Sequence, residues 1–308
     1  MTFTTRFAPS PTGPLHLGHA YSALLAHDMA MAQGGAFLLR IEDIDQSRAR
    51  PHWEDQIYDD LSWLGLRWPT PVMRQSDRLA QYGAALDRLW DMGLLYPCSC
   101  SRKDIETAVN APQEGVPGYG PDGLIYPGTC RTTQMADRPP ANPAPRPKGT
   151  VLRLDMTKAC RMAEASPSSD TSSKHPSQSI AHFQETGSGP KGQTGLINVS
   201  IAEMQNKVGD IIVARKDMGT SYHLSVVVDD AAQAITHVTR GQDLFEATKI
   251  HVVLQRVLGL PTPIYHHHRL IRDMQGKRLA KRDDARAIAK YRADGASPQD
   301  IRHLIGRA

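Results

Sequence analysis

The chain has 308 residues, 40% hydrophobic and 22% charged, with 36 Lys and Arg against 32 Asp and Glu for a net charge of +4. That length can bury one large core or two smaller ones, and that charge tolerates a polyanionic partner without demanding one. No apolar run approaches the roughly 20 residues needed to cross a bilayer, and the N-terminus lacks the basic and apolar stretches of a secretory signal, so the expected location is the cytoplasm.

In chain order, residues 3–7 predict a short strand, and Pro9, Pro11, Gly13 and Pro14 force a turn after it. Residues 16–33, rich in Ala, Leu and Met, predict a helix that stops at Gly34-Gly35. The apolar run 36–41 reads as a buried strand. Strand, helix and strand make a βαβ unit, so the expected class is α/β with a parallel sheet. Residues 52–64 predict an amphipathic helix with Trp53, Ile57, Leu61 and Leu64 on one face, and 78–92 a second that ends at Gly93. Residues 96–150 change character: they hold three cysteines, many Pro and Gly, and little periodicity. The stretch 162–194 is rich in Ser, Thr, Gln, Gly and Pro and poor in aliphatics, which predicts an exposed, mobile insertion. Strands are expected at 209–215 and 235–239, a turn at Asp229-Asp230, and a helix at 247–258.

Two distant segments carry the chemistry. The first runs Arg6-Phe-Ala-Pro-Ser-Pro-Thr-Gly-Pro-Leu-His-Leu-Gly-His19. A strand ends, a Gly/Pro turn follows and a helix begins, and the unpaired N–H groups and positive dipole at such a start favour phosphate. His16 and His19 fall one turn apart on the same face, and Gly18 leaves room for a ligand to approach the backbone. The second is the basic run Lys277-Arg-Leu-Ala-Lys281. Imidazoles and a lysine together can hold a triphosphate.

These residues resemble a known family. The first segment is similar to the N-terminal signature of class I glutamyl-tRNA synthetases, with His16-Leu-Gly-His19 as their HIGH motif. Arg40-Ile-Glu-Asp-Ile-Asp45, Tyr222-His-Leu-Ser-Val-Val-Val-Asp-Asp230 and His237-Val-Thr-Arg-Gly-Gln-Asp243 resemble the blocks that follow, and Arg278-Leu-Ala-Lys-Arg282 resembles KMSKS. The five blocks keep family order and frame nearly the whole chain outside 131–208. The resemblance implies a Rossmann-type class I catalytic domain that uses ATP with Mg²⁺. It implies an ATP site of His16, Gly18, His19, Arg278 and Lys281, with His16, His19 and Lys281 catalytic and Lys281 stabilising the pentavalent α-phosphate. It implies an L-glutamate site of Arg6, Phe7, Ala8, Pro9, Ser10, Glu42, Tyr222 and Arg240. There Arg6 and Arg240 can pair with carboxylate, Glu42 can hold the ammonium, and Tyr222 can donate a hydrogen bond. The KMSKS match departs at Arg278, which stands for the first lysine, and at Ala280, which stands for the serine.

Cys98-Ser-Cys100 with Tyr126-Pro-Gly-Thr-Cys130 suits a structural metal site. Relatives of this type carry Cys-x-Cys and Tyr-x3-Cys, so the resemblance implies one Zn²⁺ on Cys98, Cys100, Tyr126 and Cys130, with Cys160 as the competing fourth ligand. His266-His-His268 reads as strand residues, which point to alternate faces and cannot all share an ion. Asp229 and Asp230 read as a turn and helix-start feature.

Three segments are expected: 1–95 as the first half of the catalytic domain, 96–218 as an inserted zinc-containing, acceptor-stem-like domain, and 219–308 as the second half. Only a short stretch follows Lys281, so no anticodon-binding domain is expected. In this the chain resembles the glutamyl-Q tRNA(Asp) synthetase family. Its members activate glutamate without tRNA and transfer it to queuosine in the anticodon of tRNA(Asp). The expected protein is therefore a monomeric ligase acting on ATP, L-glutamate and tRNA(Asp). The competing readings are a truncated synthetase that charges tRNA(Glu) and an inactive paralogue that binds glutamate or ATP.

Overall fold

The computed structural model describes residues 2–109, 118–131, 144–165, 179–272 and 286–307. Strand β1 (Thr4–Phe7) pairs in parallel with β2 (Ala36–Ile41), which pairs in parallel with the short β3 (Met73–Arg74). Helix α1 (Leu17–Ala32) makes the crossover and buries Ala20, Ala23, Leu24, Ala26 and Ala30. Its small residues let the helix lie close to the sheet. Gly35 allows the return: a Cβ there would sit 2.0 Å from the Phe3 carbonyl oxygen, beside the bond from Ala36 N–H to that same oxygen. Helix α2 (Pro51–Trp63) starts on a proline and buries Ile57 and Leu61, and α3 (Leu79–Asp91) buries Tyr82, Leu86, Leu89 and Trp90.

On the other side of β1 lies β11 (His237–Gly241). The Thr236 N–H donates to the Thr4 carbonyl at 3.0 Å, and the Thr4 N–H donates to Thr236 Oγ1 at 2.8 Å. β11 pairs in parallel with β12 (Ile264–His268), β12 in parallel with β8 (Ser179–Glu185), and β8 antiparallel with β9 (Gly195–Ser200). Helices α6 (Tyr222–Ala232) and α7 (Phe245–Leu258) pack behind them. Strand order therefore reverses between β1 and β11, the place where doubly wound sheets bind ligands beyond their strands' carboxyl ends.

A separate three-stranded antiparallel sheet has β7 (Val151–Leu154) between β4 (Leu95–Cys98) and β10 (Ile212–Ala214). It accompanies α4 (Arg102–Val109), α5 (Met156–Ala165) and a hairpin of β5 (Tyr119–Gly120) and β6 (Gly123–Leu124). After Arg286 come α8 (Ile288–Ala293) and α9 (Pro298–Leu304), whose Ile288, Ile301 and Ile305 join the apolar cluster around α1. Among the described residues, no helix is long and apolar enough to cross a membrane.

Two sequence expectations need correction. The stretch 162–194 is not a mobile insertion throughout. Residues 162–165 finish α5, and 179–185 form β8, which hydrogen-bonds to β12 inside the main sheet. Its composition hid it because Ile180, Ala181 and Phe183 alternate with polar residues and its last buried position is a carboxylate: Glu185 accepts from the backbone N–H groups of Gly187 and His267. Residues 166–178 lie outside the described residues. Asp229 and Asp230 do not make a turn; they sit in the last turns of α6, buried among arginines.

Asp229 receives Arg78 Nε at 2.7 Å, Tyr82 Oη at 2.8 Å and Gln75 Nε2 at 2.9 Å. Removing a buried partner leaves the rest uncompensated, so Asp229→Ala is expected to cost about 3–5 kcal/mol. Asp87→Ala, which breaks an exposed pair with Arg146, should cost less than about 1 kcal/mol. Urea denaturation of the two variants checks the contrast.

Candidate active site

The start of α1 is capped by its own histidines. His16 Nδ1 accepts from the Gly18 N–H at 3.1 Å, and the His16 N–H donates to His19 Nδ1 at 3.1 Å. The two rings stack with centroids 3.8 Å apart. With each Nδ1 accepting, a neutral ring carries its proton on Nε2. Both imidazoles can then donate N–H at a helix N-terminus, where the dipole favours an anion. Gly18 has a local reason as well: a Cβ there would press on His16 Cε1 at 3.0 Å.

The other end of the chain returns to this point. Ile288 N–H donates to the Leu15 carbonyl at 2.9 Å, and Ala287 bridges His16. Ile271 and Ile288 share one apolar cluster with Leu15. Both flanks of segment 273–285 are thus anchored in the cluster that carries the start of α1. Arg278, Ala280 and Lys281 themselves lie outside the described residues.

A cavity of about 630 Å³ opens beyond the ends of β1 and β2. Phe7, Ala8, Pro9, Ser10, His19, Glu42 and Tyr222 line it, seven of the residues expected from sequence. Asp45, Arg48, Asp122, Arg215, Asp217 and His223 line it too. A larger cavity of about 1280 Å³ lies between the ends of α5, β8 and α7 and holds none of the expected residues.

The two expected carboxylate-binding arginines both lean on protein groups. Arg6 makes a two-pronged pair with Asp230, Nε to Oδ1 at 3.0 Å and Nη2 to Oδ2 at 3.3 Å. Arg40, fully buried, donates to Asp230 Oδ1 at 2.7 Å and to Glu42 Oε1 at 3.1 Å. Burial raises the Asp230 pKa, but Arg6 and Arg40 outweigh it and hold that carboxyl below its ordinary value. For Glu42, burial wins over Arg40 and Arg6, and its pKa is raised. Arg240 donates through Nη2 to Tyr222 Oη at 2.7 Å, and through Nη1 to Thr248 Oγ1 at 3.1 Å and His251 Nδ1 at 3.0 Å. Thr248 Oγ1 also meets His267 Nε2 at 3.0 Å, and His267 Nδ1 bonds Glu185.

In the small module, the sulfurs of Cys98, Cys100 and Cys130 lie within 4.8 Å of one another. Tyr126 Oη stands 3.6 Å from Cys98 Sγ and 3.4 Å from Cys100 Sγ. Cys160 is buried in a different cluster, with Leu152, Met156 and Ala159, so Tyr126 and not Cys160 is the fourth donor near the three sulfurs. Burial pushes Cys130 up, but hydrogen bonds led by the Tyr126 hydroxyl reverse this and lower it to about 6. Burial pushes Cys100 up to about 11. Arg153 donates to Cys98 Sγ at 3.3 Å and lies 3.8 Å above the Tyr126 ring, a cation beside donors that become anionic on a metal. Three sulfurs and a phenol oxygen this close suit a tetrahedral zinc.

The family model for tRNA synthetases class I (E and Q), catalytic domain, matches residues 2–117 and 155–308. The chain belongs to this family. A glutamyl-Q tRNA(Asp) synthetase of Rhodobacter capsulatus is 59% identical over 302 residues, covering 98% of this chain and 99% of its own length. One of Nocardia farcinica is 37% identical over 300 residues, 97% of this chain and 82% of its own. The solved glutamate-tRNA synthetase of Elizabethkingia anophelis matches with a TM-score of 0.69 at 23% identity, over 99% of this chain and 61% of that one. The chain spans about three fifths of such solved synthetases, and the likeness to them is one of fold.

Sequence reading of this class I synthetase missed the partners of its site residues: Asp230 for Arg6, and Thr248 and His251 for Arg240, with His267 behind Thr248. Asp230 had a signal. Read as a helix, Tyr222 to Asp230 places Tyr222, Asp229 and Asp230 within one stripe. The histidines had none, because their value lies in contacts between separate elements.

Zinc analysis of purified variants is expected to show Cys160→Ser retaining metal, and Tyr126→Phe and Cys130→Ser losing affinity by at least about tenfold. Stability should also depend on pH. Burial lowers the pKa of His251, His267 and His268, the last to about 4. The native state therefore binds fewer protons than the unfolded one below about pH 6.5. Its stability is full above that pH and falls below it, for His268 by about 1.4 kcal/mol per unit until about pH 4. Urea midpoints from pH 7 to 5 check this, and His268→Gln should make the slope shallower.

Proposed function

We propose that this chain joins L-glutamate to ATP as glutamyl-adenylate without tRNA, and then transfers the glutamyl group to queuosine in the anticodon of tRNA(Asp). The observation that carries the reading is identity of 59%, across nearly the full length of both chains, with a protein named for that reaction. The expected site residues that line one cavity at the switch point support it.

In the first step a substrate carboxylate oxygen attacks the α-phosphorus. The new P–O bond forms as the bond to the bridging oxygen breaks, and pyrophosphate leaves. His16 and His19 present Nε2–H groups to phosphate oxygens at the start of α1. Lys281 and Arg278 supply positive charge to the α-phosphate as the fifth bond forms. Mg²⁺ travels with the ATP phosphates. Tyr222 and Glu42 face the glutamate, and Arg240 stands behind Tyr222 to meet a carboxylate. Arg6 acts mainly through Asp230, which keeps the end of β1 in place. Zn²⁺ on Cys98, Cys100, Tyr126 and Cys130 would stiffen a module with little core of its own and take no part in the chemistry. The reaction belongs in the cytoplasm.

Glutamate-dependent ATP–pyrophosphate exchange without tRNA, followed by transfer of labelled glutamate to tRNA(Asp) with and without queuosine, tests the reading. Exchange and queuosine-dependent transfer are expected. Charging of tRNA(Glu) at its 3′ end, or no exchange at all, would overturn it. Lys281→Ala should slow adenylate formation by about 10²–10³-fold while glutamate binding stays near that of the unaltered protein.

A further inference from the structure

A continuous line of hydrogen bonds runs from Arg240 out to the small module. Arg240 Nη1 meets His251 Nδ1 at 3.0 Å, His251 Nε2 meets His223 Nδ1 at 3.1 Å, and His223 Nε2 meets Asp122 Oδ1 at 3.1 Å. The rings of Tyr222, His223 and His251 also pack on one another, with centroids 5.2–5.6 Å apart. His223 is on α6 and His251 on α7, while Asp122 is in the turn of the β5–β6 hairpin. Asp122 and His223 both line the cavity at the switch point.

The two ends of this line dictate every proton along it. A guanidinium only donates, so His251 Nδ1 must accept. Burial, then the Arg240 charge, lowers the His251 pKa well below 6.5 and keeps the ring neutral. Its single proton is therefore on Nε2, where it donates to His223 Nδ1. His223 Nδ1 accepts, so His223 donates through Nε2, and a carboxylate is the acceptor it finds. The reverse direction is forbidden: a proton on His223 Nδ1 would need a His251 ring with no proton at all.

We infer that Asp122 is a positioning residue for Arg240, through which the small module holds the glutamate-facing guanidinium in orientation. The inference rests on the proposed role of Arg240. Asp122 accepts the proton that the line presents at His223 Nε2 and so holds the two rings in place, the second of which meets Arg240 Nη1. The line also gives the metal-bearing module a specific influence on substrate affinity.

Two measurements test it. In protein labelled with ¹⁵N-histidine, long-range ¹H–¹⁵N spectra are expected to show both His223 and His251 with the proton on Nε2. A proton on Nδ1 of either ring would overturn the assignment. In ATP–pyrophosphate exchange, Asp122→Ala should raise KM for glutamate by about 5–20-fold, the size of one lost hydrogen bond to a buried network. KM for ATP and kcat should stay within about twofold, the pattern of lost ground-state binding. Asp122→Asn, whose amide oxygen still accepts from His223 Nε2, should restore the unaltered value. An unchanged KM for glutamate, an equal rise for ATP, or no rescue by asparagine would each overturn the proposal. Zinc content and thermal midpoint of the variants separate this from unfolding. Absence of exchange in the unaltered protein would defeat the functional reading instead, and the tautomer spectrum would still decide the line of hydrogen bonds.

Discussion

Asp230 is the charge on which the site depends. It lies in α6, behind the point where strand order reverses, and it binds the side chains of Arg6 from β1 and Arg40 from β2 at once. Two buried guanidiniums side by side would repel, and each would lack a counter-ion in a medium of low dielectric. One carboxylate between them makes the arrangement tolerable, and Glu42 takes the far side of Arg40. The result ties two strands and a helix from opposite ends of the chain into one rigid floor. Ala8, Pro9 and Ser10 leave β1 directly above it, which places the turn that leads to His16.

The two ends of the chain meet through the same economy of contacts. Backbone bonds between Leu15 and Ile288, and an isoleucine cluster from residues 271, 288, 301 and 305, bring the later segment against the start of α1. Apolar burial does the holding at both flanks of segment 273–285. In the small module the balance differs. One side of its sheet, with Leu95, Leu152, Leu154 and Val213, packs into the main core, and the other side carries only the small cluster of Tyr96, Cys98 and Tyr126 beside the sulfurs. Asp210 gathers Tyr96 Oη, the Met156 N–H and Arg131 there, a polar centre that ties β4, α5 and the cysteine loop together.

Much of the fold was legible. Helix α1 announces itself through its Ala, Leu and Met content and the Gly34-Gly35 stop, α2 and α3 through 3.6-residue apolar spacing, and β1 and β2 through short apolar or aromatic runs. β8 did not, because a strand stabilised by a buried glutamate and by pairing to residues 80 positions away has no local hydrophobic signature. Helix α6 was missed for a related reason. Two adjacent aspartates look like a solvated turn unless their arginine partners are known. At the site, Phe7, Ala8, Pro9, Ser10, His19, Glu42 and Tyr222 were legible as motif positions, while Asp122, Arg215 and Asp217, which face the same cavity, and the partners of Arg6 and Arg240 were not. The candidate metal site fell between: Cys98, Cys100 and Cys130 could be grouped by spacing, but that Tyr126 lies beside their sulfurs and Cys160 in another cluster required the tertiary structure.

By itself, the sequence determined the order of the motif blocks, the chemistry their side chains can perform, and the local elements that present them. Those follow from residue type and short-range periodicity. Only the tertiary structure decided which partner each charge takes, and that Cys160 is buried away from the other three sulfurs. Arg6 and Asp230 are 224 residues apart, and nothing local relates them. Their pairing is a consequence of chain topology, and burial is what makes an unpaired alternative too costly to persist.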